Sequence, residues 1–585
     1  MPTPIRQARW SLAKTHPDTL PLARQLNISP TLAQLLLQLG HHTPASASRF
    51  LNPRLQDLSD PFLITDLERA VRRITQALAK NERITLYGDY DVDGITSTTI
   101  LTRCLRAQGG NPRYFLPHRI NEGYGLSQSA LERCIQEHRP NLLIALDCGT
   151  TSHKEVSWLA QKGIDVIIID HHELPPQLPS PSILVNPHRD GRLEYLCTAG
   201  LTFKVCHGLL KLSPRHRENL DLKSFLDLAA TGTIADIVPL IGENRIIVHR
   251  GLQQLAQTRN LGLRALMDIC RIDDAPEPDD IGFRIGPRLN ASGRMADAIL
   301  SLELLLTEDY HRAEKIAQEL DLHNRQRQSA EATIIEEALQ KLEAEFDPDR
   351  DYSIVLGSRG WHIGIIGIVA ARIQRLYYRP TFVIGFDEEG MGKGSGRGIK
   401  GCSLVEGLRA CSSYLTGFGG HEYAAGLTLH ESNLHAFKEA FEAWTRSQLS
   451  PEHLQEEIKI SAELRPDEVT EELYHEIATL RPFGRDNPEP IFLLRNIHQS
   501  RPPQTFGRNH LKLFIKTHHG ELHALAFGQA HRPAPPENFS LIGTLSWDTY
   551  HDAPCIHITD WQNTPTPKIY TTDASLQPLA PACRR

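Results

Sequence analysis

The stretch ITLYGDYDVDG at residues 84–94 decides the fold of the largest part of the chain. Its apolar start is typical of a strand that is buried on both faces, and a glycine and three aspartates follow at once. Two further apolar runs, at 142–146 and 166–169, end in Asp147-Cys148-Gly149 and Asp170-His171-His172. A fourth run covers 183–185, and helical patterns such as 67–80 separate most of the runs. This alternation predicts an α/β fold with a parallel sheet.

The polar residues that follow these runs are predicted to meet. In an open parallel sheet, ligands bind in the crevice outside the carboxyl ends of the strands. Carboxylates at such short range raise one another's pKa unless a cation compensates their charge. Mixed carboxylate and imidazole ligands without thiolate suit Mn²⁺ or Mg²⁺, and this many ligands can hold two ions. The predicted chemistry is hydrolysis of a phosphodiester or a phosphoanhydride.

Each motif has a simpler interpretation when it is considered alone. The three aspartates of 84–94 could form a polar turn, Asp147 could cap a helix, and the two histidines could be a solvated pair in a loop. Three such motifs at strand ends of one sheet favour the metal site. Asp236, which follows the apolar and small residues of 229–234, is a fourth candidate.

The rest of the chain divides into further domains. Residues 294–347 contain neither Gly nor Pro, and one helix of about 55 Å, capped by Thr307, is expected over 309–346. A Gly-rich α/β segment follows, and short alternating runs such as 511–515 and 541–545 predict a small β-barrel. The predicted boundaries are an N-terminal helical segment (1–65), a catalytic domain (66–296), connecting helices (297–347), a second α/β domain (348–450), the barrel (455–565) and a loose tail (566–585).

The composition is typical of a reduced, cytoplasmic protein. No apolar run predicts a membrane helix, the first residues do not resemble a secretory signal, and the 10 cysteines include no C-x-x-C pair. The sequence contains no G-x-x-x-x-G-K-[ST] loop, the motif that would indicate ATP-driven work. The net charge of −7 gives no general argument for nucleic-acid binding. However, residues 281–295 and 490–520 lack acidic side chains and carry basic ones, as phosphate-binding tracks do.

Four motifs resemble those of the DHH phosphoesterase superfamily, namely YGDYDVDG (87–94), LDCG (146–149), DHH (170–172) and ADIVPL (235–240). The resemblance implies a site for two ions, Mn²⁺ or Mg²⁺, that Asp147 bridges. The metal ligands that it implies are Asp89, Asp91, Asp93, Asp147, His171 and Asp236. His172 is the implied catalytic group, and Asp89 and His172 could each be either a metal ligand or a supporting, phosphate-facing group outside the ligand shell.

Later segments resemble the RecJ family within that superfamily, namely GPRLNASGRM (286–295), GWHIGIIG (360–367), GSGRG (394–398), GGH (419–421) and PFGRDNPEP (482–490). The resemblance implies a parallel-sheet DHH domain, a long connecting helix, a smaller DHH-associated α/β domain and a C-terminal OB-fold. It also implies a cytoplasmic exonuclease that degrades single-stranded DNA from the 5′ end to mononucleotides. Repair and recombination are the implied setting, with a single-strand-binding protein and a helicase as partners and no membrane.

Further candidates lie outside the metal motifs. The predicted phosphate-binding residues are Arg119, Arg288, Asn290, Arg294, Ser395, Arg397, Arg508 and Lys512, and His421 is a second catalytic candidate. Glycines let backbone N–H groups approach a phosphate, and Ser395 and Arg397 add a hydroxyl and a guanidinium. The alternatives are a plain tight turn at 394–398, a salt bridge of Arg119 to Glu122, and a solvated basic face with Phe514 in the core.

Two other functions stay open. One is hydrolysis of short oligonucleotides or cyclic dinucleotides, by enzymes of this superfamily that lack the barrel. The other is a non-catalytic scaffold for single strands, as in members that have lost their metal ligands. The predicted barrel argues against the first function, and the four intact motifs argue against the second.

Overall fold

The structure is a computed structural model that describes residues 8–118, 122–212, 220–272, 275–295, 297–563 and 569–572. It divides into two compact units. We call His41–Arg325 together with Ala478–Glu489 the parallel-sheet unit. We call the described parts of Met1–Gly40, Gln326–Ile477 and Pro490–Leu576 the barrel unit.

The strands are, in chain order, β1 (Arg9–Ala13), β2 (Ile84–Gly88), β3 (Arg113–Phe115), β4 (Leu142–Leu146), β5 (Asp165–Ile169), β6 (Ile183–Val185), β7 (Ile354–Arg359), β8 (Thr381–Phe386), β9 (Met391–Arg397), β10 (Gly417–Gly420), β11 (Ala424–His430), β12 (Glu457–Ile460), β13 (Ala462–Glu463), β14 (Ile491–Phe506), β15 (His510–Lys516), β16 (Glu521–Ala526), β17 (Asn538–Asp548), β18 (Ala553–Gln562) and β19 (Ile569–Thr572).

The helices are α1 (Thr19–Leu26), α2 (Pro30–Gln38), α3 (Pro44–Leu51), α4 (Leu67–Ala79), α5 (Val92–Ala107), α6 (Gln128–His138), α7 (His153–Gln161), α8 (Thr198–Leu212), α9 (Leu226–Ala235), α10 (Gly242–Ala256), α11 (Leu261–Cys270), α12 (Pro278–Asp280), α13 (Gly286–Met295), α14 (Ile299–Leu306), α15 (Tyr310–Glu345), α16 (Ile366–Tyr377), α17 (Leu404–Ala410), α18 (Leu434–Gln448) and α19 (Glu471–Ala478). A π-helical turn, Ile281–Ile285, leads directly into α13.

Five parallel strands form the sheet of the parallel-sheet unit, in the order β3-β2-β4-β5-β6. The chain adds β3 on one side of β2 and then returns to add β4 on the other side. The strand order therefore reverses at β2, and such a reversal is where α/β sheets bind their ligands. The sheet confirms the predicted α/β class.

Apolar cores cover both faces of this sheet. Leu86 and Ile144 belong to the core on one face, and their neighbours Tyr87 and Ala145 belong to the core on the other face. Successive side chains of a strand point to opposite faces, so burial on both sides requires an uninterrupted apolar run. This is why the predicted strands 142–146 and 183–185 agree with β4 and β6 to the residue.

The barrel unit contains three sheets. The first has the order β10-β11-β9-β8-β7 and is antiparallel except for the pair β7–β8. The second has the order β13-β14-β15-β16-β18-β17, and β14 also pairs with β17, which closes the predicted barrel. The third, β12-β1-β19, is parallel.

The long helix α15 has 36 residues and contributes residues to both units. It begins and ends one residue inside the predicted range of 309–346. The prediction of Thr307 as its cap was wrong. Asp309 Oδ1 accepts the N–H groups of His311 (2.9 Å) and Arg312 (3.3 Å), the positions that an N-cap must reach.

The two Gly-rich segments that were predicted as phosphate-binding loops lie mostly on strands. Residues 394–397 belong to β9, and Gly419 and Gly420 end β10. A Cβ on Gly396 would lie 2.3 Å from a ring atom of Phe382, and one on Gly394 would lie 2.8 Å from Leu427. Glycine is required at these two positions of β9 because large side chains pack directly on the strand backbone.

Two strands occur where none was predicted. β1 lies in the N-terminal segment that was predicted as helical, and β19 lies in the predicted loose tail. The two strands pair with each other in parallel, and β1 also pairs with β12. Such pairing joins residues more than 400 positions apart, so a local pattern cannot reveal it. Among the described helices, none is both long and apolar enough to cross a membrane.

Candidate metal centre and phosphate-binding surfaces

The first motif wraps around the carboxyl end of β2. The Asp89 N–H donates to the carbonyl oxygen of Leu146 at the end of β4 (3.1 Å). Asp91 caps α5, since its Oδ1 accepts the N–H groups of Asp93 (3.0 Å) and Gly94 (3.2 Å). A Cβ on Gly94 would lie 2.5 Å from the Asp89 carbonyl oxygen, so only glycine allows so tight a turn.

Asp93 lies in the first turn of α5 and is 1% exposed. Its two carboxylate oxygens accept the N–H groups of Thr198 (2.7 Å) and Ala199 (2.8 Å) at the start of α8. The positive end of the α8 dipole therefore faces this carboxylate. Glycine at position 232 of α9 leaves room for the same carboxylate, because a Cβ there would lie 3.0 Å from Asp93 Oδ1.

Asp147 follows β4 with a φ of +66°, a left-handed conformation that aspartate tolerates better than most residues. Its Oδ1 accepts the Thr198 hydroxyl (2.9 Å), and its carbonyl oxygen accepts the Tyr124 hydroxyl (3.1 Å). The alternative that Asp147 caps a helix is wrong, because α7 begins only at His153.

Asp170 orients its neighbours. Its Oδ1 accepts the N–H groups of His171 (2.8 Å) and His172 (3.2 Å) and pairs with His172 Nδ1 (2.7 Å). Its Oδ2 accepts the Thr150 N–H (3.0 Å). Although burial would raise the pKa of Asp170, the hydrogen bond from His172 and the charge of that ring lower it.

His171 stands at the centre of the cluster. Its Nε2 lies 3.3 Å from Asp236 Oδ2, 3.5 Å from Asp147 Oδ1 and 3.9 Å from Asp93 Oδ2. Asp236 reaches this point from the C-cap of α9. Burial and the charge of His172 lower the pKa of His171 to about 3, so the ring is a neutral imidazole, the form that binds metal.

The ligand atoms form groups that overlap. Asp89, Asp91 and Asp147 form one group with atoms within 4.8 Å of one another, and Asp93, His171 and Asp236 form a second. A third group joins Asp147 to the two histidines of the DHH motif. Asp147 thus contributes to the first and third groups and lies beside the His171 ring of the second.

The carboxylates of the cluster repel one another. Burial and the charge of Asp91 raise the pKa of Asp93 to about 6. Burial and the charges of Asp93 and Asp91 raise the pKa of Asp147, and they raise that of Asp236 to about 9. A bound cation removes this repulsion, because it favours the ionised form of every carboxylate around it.

The donor atoms of these residues fit a divalent metal ion. The His171 Nε2 atom is buried and makes no hydrogen bond within the described chain, although carboxylate oxygens surround it at 3.3–3.9 Å. Ligands that each lie about 2.0–2.2 Å from one ion are separated by about this distance. Oxygen ligands with one imidazole suit Mn²⁺ and Mg²⁺.

His172 differs from His171 in both contacts and charge. Although burial would lower its pKa, the hydrogen bond and charge of Asp170 raise the pKa of His172 to about 9. The Tyr124 hydroxyl lies 3.0 Å from His172 Nδ1 and 3.3 Å from its Nε2. A protonated ring at the edge of a metal cluster is suited to facing a phosphate rather than to binding an ion.

The phosphate-binding candidates of the parallel-sheet unit have different surroundings. Arg119 lies outside the described residues, and Glu122, its suggested partner, pairs with Arg133 (2.8 Å). Arg288 is held in an ion pair with Asp321 of α15 (2.8 Å). Asn290 and Arg294 lie on α13, whose Gly293 approaches the first motif so closely that a Cβ would lie 3.2 Å from the Tyr90 carbonyl oxygen.

Ser395 and Arg397 lie together in the barrel unit. Arg397 Nη1 donates to Ser395 Oγ (3.1 Å) and to the carbonyl oxygen of Gly396 (2.7 Å), and within the described chain it contacts no carboxylate. Burial lowers the pKa of Arg397. Gly367, at the start of α16, lies beside both side chains. His421 is exposed in the turn between β10 and β11.

The basic residues of the barrel fall into two classes. Arg495 pairs with Glu463 (3.0 Å) and Arg501 with Glu521 (2.9 Å). Arg508 is exposed and its side chain has no partner among the described residues, and Lys512 Nζ lies 5.6 Å from the ring centre of Phe514. Phe514 is 2% exposed, so it belongs to the core, as the alternative interpretation had it.

Two residues that the sequence did not single out belong to the metal cluster. Thr198 binds both Asp93 and Asp147, and Tyr124 contacts His172 and the backbone of Asp147. The only local signal for Thr198 is its position at the start of α8. Tyr124 lies in a glycine-flanked loop that no periodicity describes.

Three family models match the chain. The DHH family N-terminal domain matches residues 83–233, the DHHA1 domain matches 351–447, and the RecJ OB domain matches 460–559. These matches fall on the parallel sheet, the sheet of β7–β11 and the barrel, respectively.

Curated relatives and solved structures agree with these matches. The single-stranded-DNA-specific exonuclease RecJ of Bacillus subtilis (strain 168) is 34% identical over 579 residues, which are 97% of this chain and 71% of the relative. The protein of the same name from Thermus thermophilus is 35% identical over 507 residues, covering 85% and 71% of the two chains. The crystal structure of RecJ in complex with Mn²⁺ from Thermus thermophilus superposes with a TM-score of 0.83 at 30% identity, covering 96% and 80%. The corresponding Mg²⁺ complex has a TM-score of 0.77 at 28% identity, covering 96% and 79%.

Proposed function

The chain belongs to the RecJ family of single-stranded-DNA-specific exonucleases, and we propose that it removes mononucleotides from the 5′ end of single-stranded DNA. The observation that carries the proposal is the set of ligand groups around Asp147, which belongs to two of them and lies 3.5 Å from the His171 ring of the other. The exonuclease activity and the single-stranded substrate follow from the family. The 5′→3′ direction and the mononucleotide product rest on the resemblance of the motifs.

Mn²⁺ or Mg²⁺ is the cofactor. We assign Asp89, Asp91 and Asp147 to one ion, and Asp93, His171 and Asp236, again with Asp147, to the other. When bound, two such ions would activate the attacking water and neutralise the charge that develops on the phosphoryl oxygens. Thr198 holds the Asp93 and Asp147 carboxylates in place, which fixes the spacing of the two positions.

His172 is proposed to act as a cationic donor toward the scissile phosphate. Its Nδ1 is engaged by Asp170 at 2.7 Å, and this bond orients the ring and favours its protonated form. A charged imidazole can donate to a phosphoryl oxygen, and it can also give its proton to the leaving oxygen. The Tyr124 hydroxyl, 3.0 Å from the same Nδ1, and the Tyr124 ring also contact His172.

The terminal nucleotide is proposed to be held by Ser395 and Arg397. A half-buried guanidinium without a carboxylate partner in the described chain, beside the start of a helix and a hydroxyl, is a site for an anion. We propose phosphate contacts also for Arg119, Asn290, Arg294 and His421. Arg288 is also proposed as a phosphate contact, but it can bind phosphate only after its ion pair with Asp321 has opened.

The barrel is proposed to guide the rest of the strand. Four rings form a cluster with centroid separations of 5.0–5.9 Å, and Phe527 at its centre is 48% exposed. Its members are Phe506, His510, Phe527 and His557. Bases stack on such aromatic platforms, and the exposed Arg508 and the nearby Lys512 offer charge to the backbone phosphates.

The cellular setting is proposed from the family resemblance alone. We infer a cytoplasmic enzyme of DNA repair and recombination that receives single strands from a helicase and meets them coated by a single-strand-binding protein. Stimulation of degradation by either partner on partly duplex DNA tests this setting.

One degradation experiment tests the enzymatic proposal. Single- and double-stranded DNA, labelled at the 5′ or the 3′ end, is incubated with Mn²⁺, Mg²⁺ or chelator. We expect release of labelled mononucleotide first from the 5′ end of single strands and only with metal. Preference for oligonucleotides of a few residues would favour the short-substrate hydrolase, and binding without cleavage would favour the scaffold.

A further inference from the structure

A second cluster of metal-binding side chains lies on the barrel, outside the cluster of the parallel-sheet unit. It consists of His523 on β16, Asp548 at the end of β17 and His551 in the turn between β17 and β18. Asp548 Oδ2 lies 2.6 Å from His551 Nδ1 and 3.6 Å from His523 Nδ1. The two imidazole rings meet edge to face, with centroids 4.4 Å apart. One carboxylate oxygen and two ring nitrogens therefore lie within 4.8 Å of one another.

The carboxylate is held in the orientation that a ligand needs. Asp548 Oδ1 accepts the N–H groups of Tyr550 (3.0 Å) and His551 (3.3 Å), which leaves Oδ2 toward the imidazoles. The side chains of Asp548 and His523 are only 11% and 17% exposed, whereas that of His551 is 36% exposed. Backbone bonds to the second oxygen of a carboxylate are the support that protein metal ligands characteristically have.

The spacing suits a small divalent ion. Ligands about 2.0–2.1 Å from a tetrahedral ion lie roughly 3.3 Å from one another. The separation of His523 and Asp548 is already close to that value, and His551 need move outward by less than about 1 Å to match it.

The cluster joins parts of the barrel that are distant in sequence. β16 pairs with β18 at Ala524 and Ile556, and β17 pairs with β18 at Asp548 and Ala553. β18 thus lies between the strands that carry His523 and Asp548. A bond from both side chains to one ion would tie β16 to the β17–β18 turn.

We propose that His523, Asp548 and His551 bind one Zn²⁺ ion that fastens this end of the barrel. Two imidazoles and one carboxylate favour Zn²⁺ over Mn²⁺ and Mg²⁺, which prefer sites with more oxygen ligands. The exposed edge of His551 leaves a fourth position for water. The proposal does not depend on the nuclease activity, because no residue of the catalytic cluster takes part.

The test counts bound zinc on the full chain. Metal-stripped protein is dialysed against Zn²⁺ and analysed for zinc, as wild type and as the double variant His523→Ala/His551→Ala. We expect the double variant to retain about one equivalent less, since loss of two of three protein ligands removes the site. The matched control is His518→Ala, which breaks a pair between His518 and Asp467 of the same 2.6 Å length. His518 is 84% exposed, and among the described residues this pair belongs to no group of three metal-binding side chains. Equal zinc content in the wild type and the double variant overturns the proposal.

Two further measurements distinguish loss of the zinc site from misfolding of the variant and from loss of nuclease activity. Asp548→Asn retains the side-chain volume, and it too must lose the equivalent of zinc. Excess Mn²⁺ must fail to displace the barrel ion from the wild type, and full displacement overturns the assignment to Zn²⁺. Nuclease activity with Mn²⁺ is measured on the same samples. A protein that is inactive but binds the barrel zinc refutes the proposed function alone, and an active protein without it refutes this inference alone.

Discussion

Replacement of Asp147 by asparagine should separate catalysis from stability. Asparagine keeps the side-chain volume, tolerates the φ of +66°, and can still accept the Thr198 hydroxyl through its carbonyl oxygen. What the variant loses is one negative charge in the middle of the ligand groups. The substitution is therefore a cleaner test than alanine, which would also strain the backbone.

The magnitude follows from the sharing of Asp147 between the two ion positions. Removing a side chain that hydrogen-bonds to a metal ligand lowers metal affinity or activity by about 10–100-fold, and removing the ligand itself lowers them at least as much. Applied to both ions, the cleavage rate should fall by about 10²–10⁴-fold, or roughly 2.7–5.4 kcal/mol at 1.36 kcal/mol per tenfold change. Without metal, however, the variant should unfold at no lower temperature than wild type, because it removes the electrostatic repulsion of Asp147 by Asp93 and Asp91.

The assay combines release of labelled nucleotides from single-stranded DNA with thermal unfolding at increasing Mn²⁺. If the affinity for an ion falls 100-fold, saturating Mn²⁺ stabilises the variant by about 2.7 kcal/mol less per ion. Asp227→Asn is the control, because Asp227 is 1% exposed and accepts the Thr258 hydroxyl (2.5 Å) but belongs to none of the ligand groups that the described residues form. It should unfold more easily yet keep its full response to Mn²⁺. Cleavage by the Asp147 variant within tenfold of wild type, or an unchanged response to Mn²⁺, would refute the two-ion assignment.

Three further substitutions test other parts of the site. His171→Ala should lose most cleavage and recover part of it in excess Mn²⁺, because it removes one ligand of one ion; rescue by Mg²⁺ alone would argue against that role. Arg397→Ala should cost about 1.5–3 kcal/mol on a substrate with a 5′-phosphate, as a charged hydrogen bond does, and less on one with a 5′-hydroxyl. The double variant Arg508→Ala/Lys512→Ala should flatten the slope of log K against log salt by about 1.4, since each phosphate contact with a single strand contributes about 0.7.

Matched arginines serve as controls for the last two substitutions. Arg359 lies in the same sheet as Arg397 but is paired with Glu431 (2.6 Å) and 62% exposed, and its loss should not discriminate between the two 5′ ends. Arg495 lies on the barrel and is paired with Glu463 (3.0 Å), and its loss should leave the salt slope unchanged. A control that behaves like its partner variant would show that the effect is one of general charge.

Much of the parallel-sheet unit could be predicted from local sequence. β4 and β6 agree with their predicted ranges because strands that are buried on both faces must be apolar at every position. The three motifs converge because the carboxyl ends of neighbouring parallel strands lie at one edge of a sheet. The order of the strands along the chain and their parallel direction were sufficient to predict that the motifs meet.

The sequence by itself thus determined the α/β class, the long helix, the barrel and the types of residue at the metal cluster. Only the tertiary structure decided the roles of Thr198 and Tyr124, because they act through distances to residues more than 20 positions away. It also decided that the Gly-rich segments lie on strands, with Phe382 packed on the β9 backbone at Gly396, and that β1 pairs with β19. His523 meets Asp548 for the same reason, because closure of the barrel brings β16 beside the β17–β18 turn, whereas His551 lies only three residues from Asp548 within that turn. Local patterns report burial and strand direction, whereas contacts between distant residues exist only once the chain has folded.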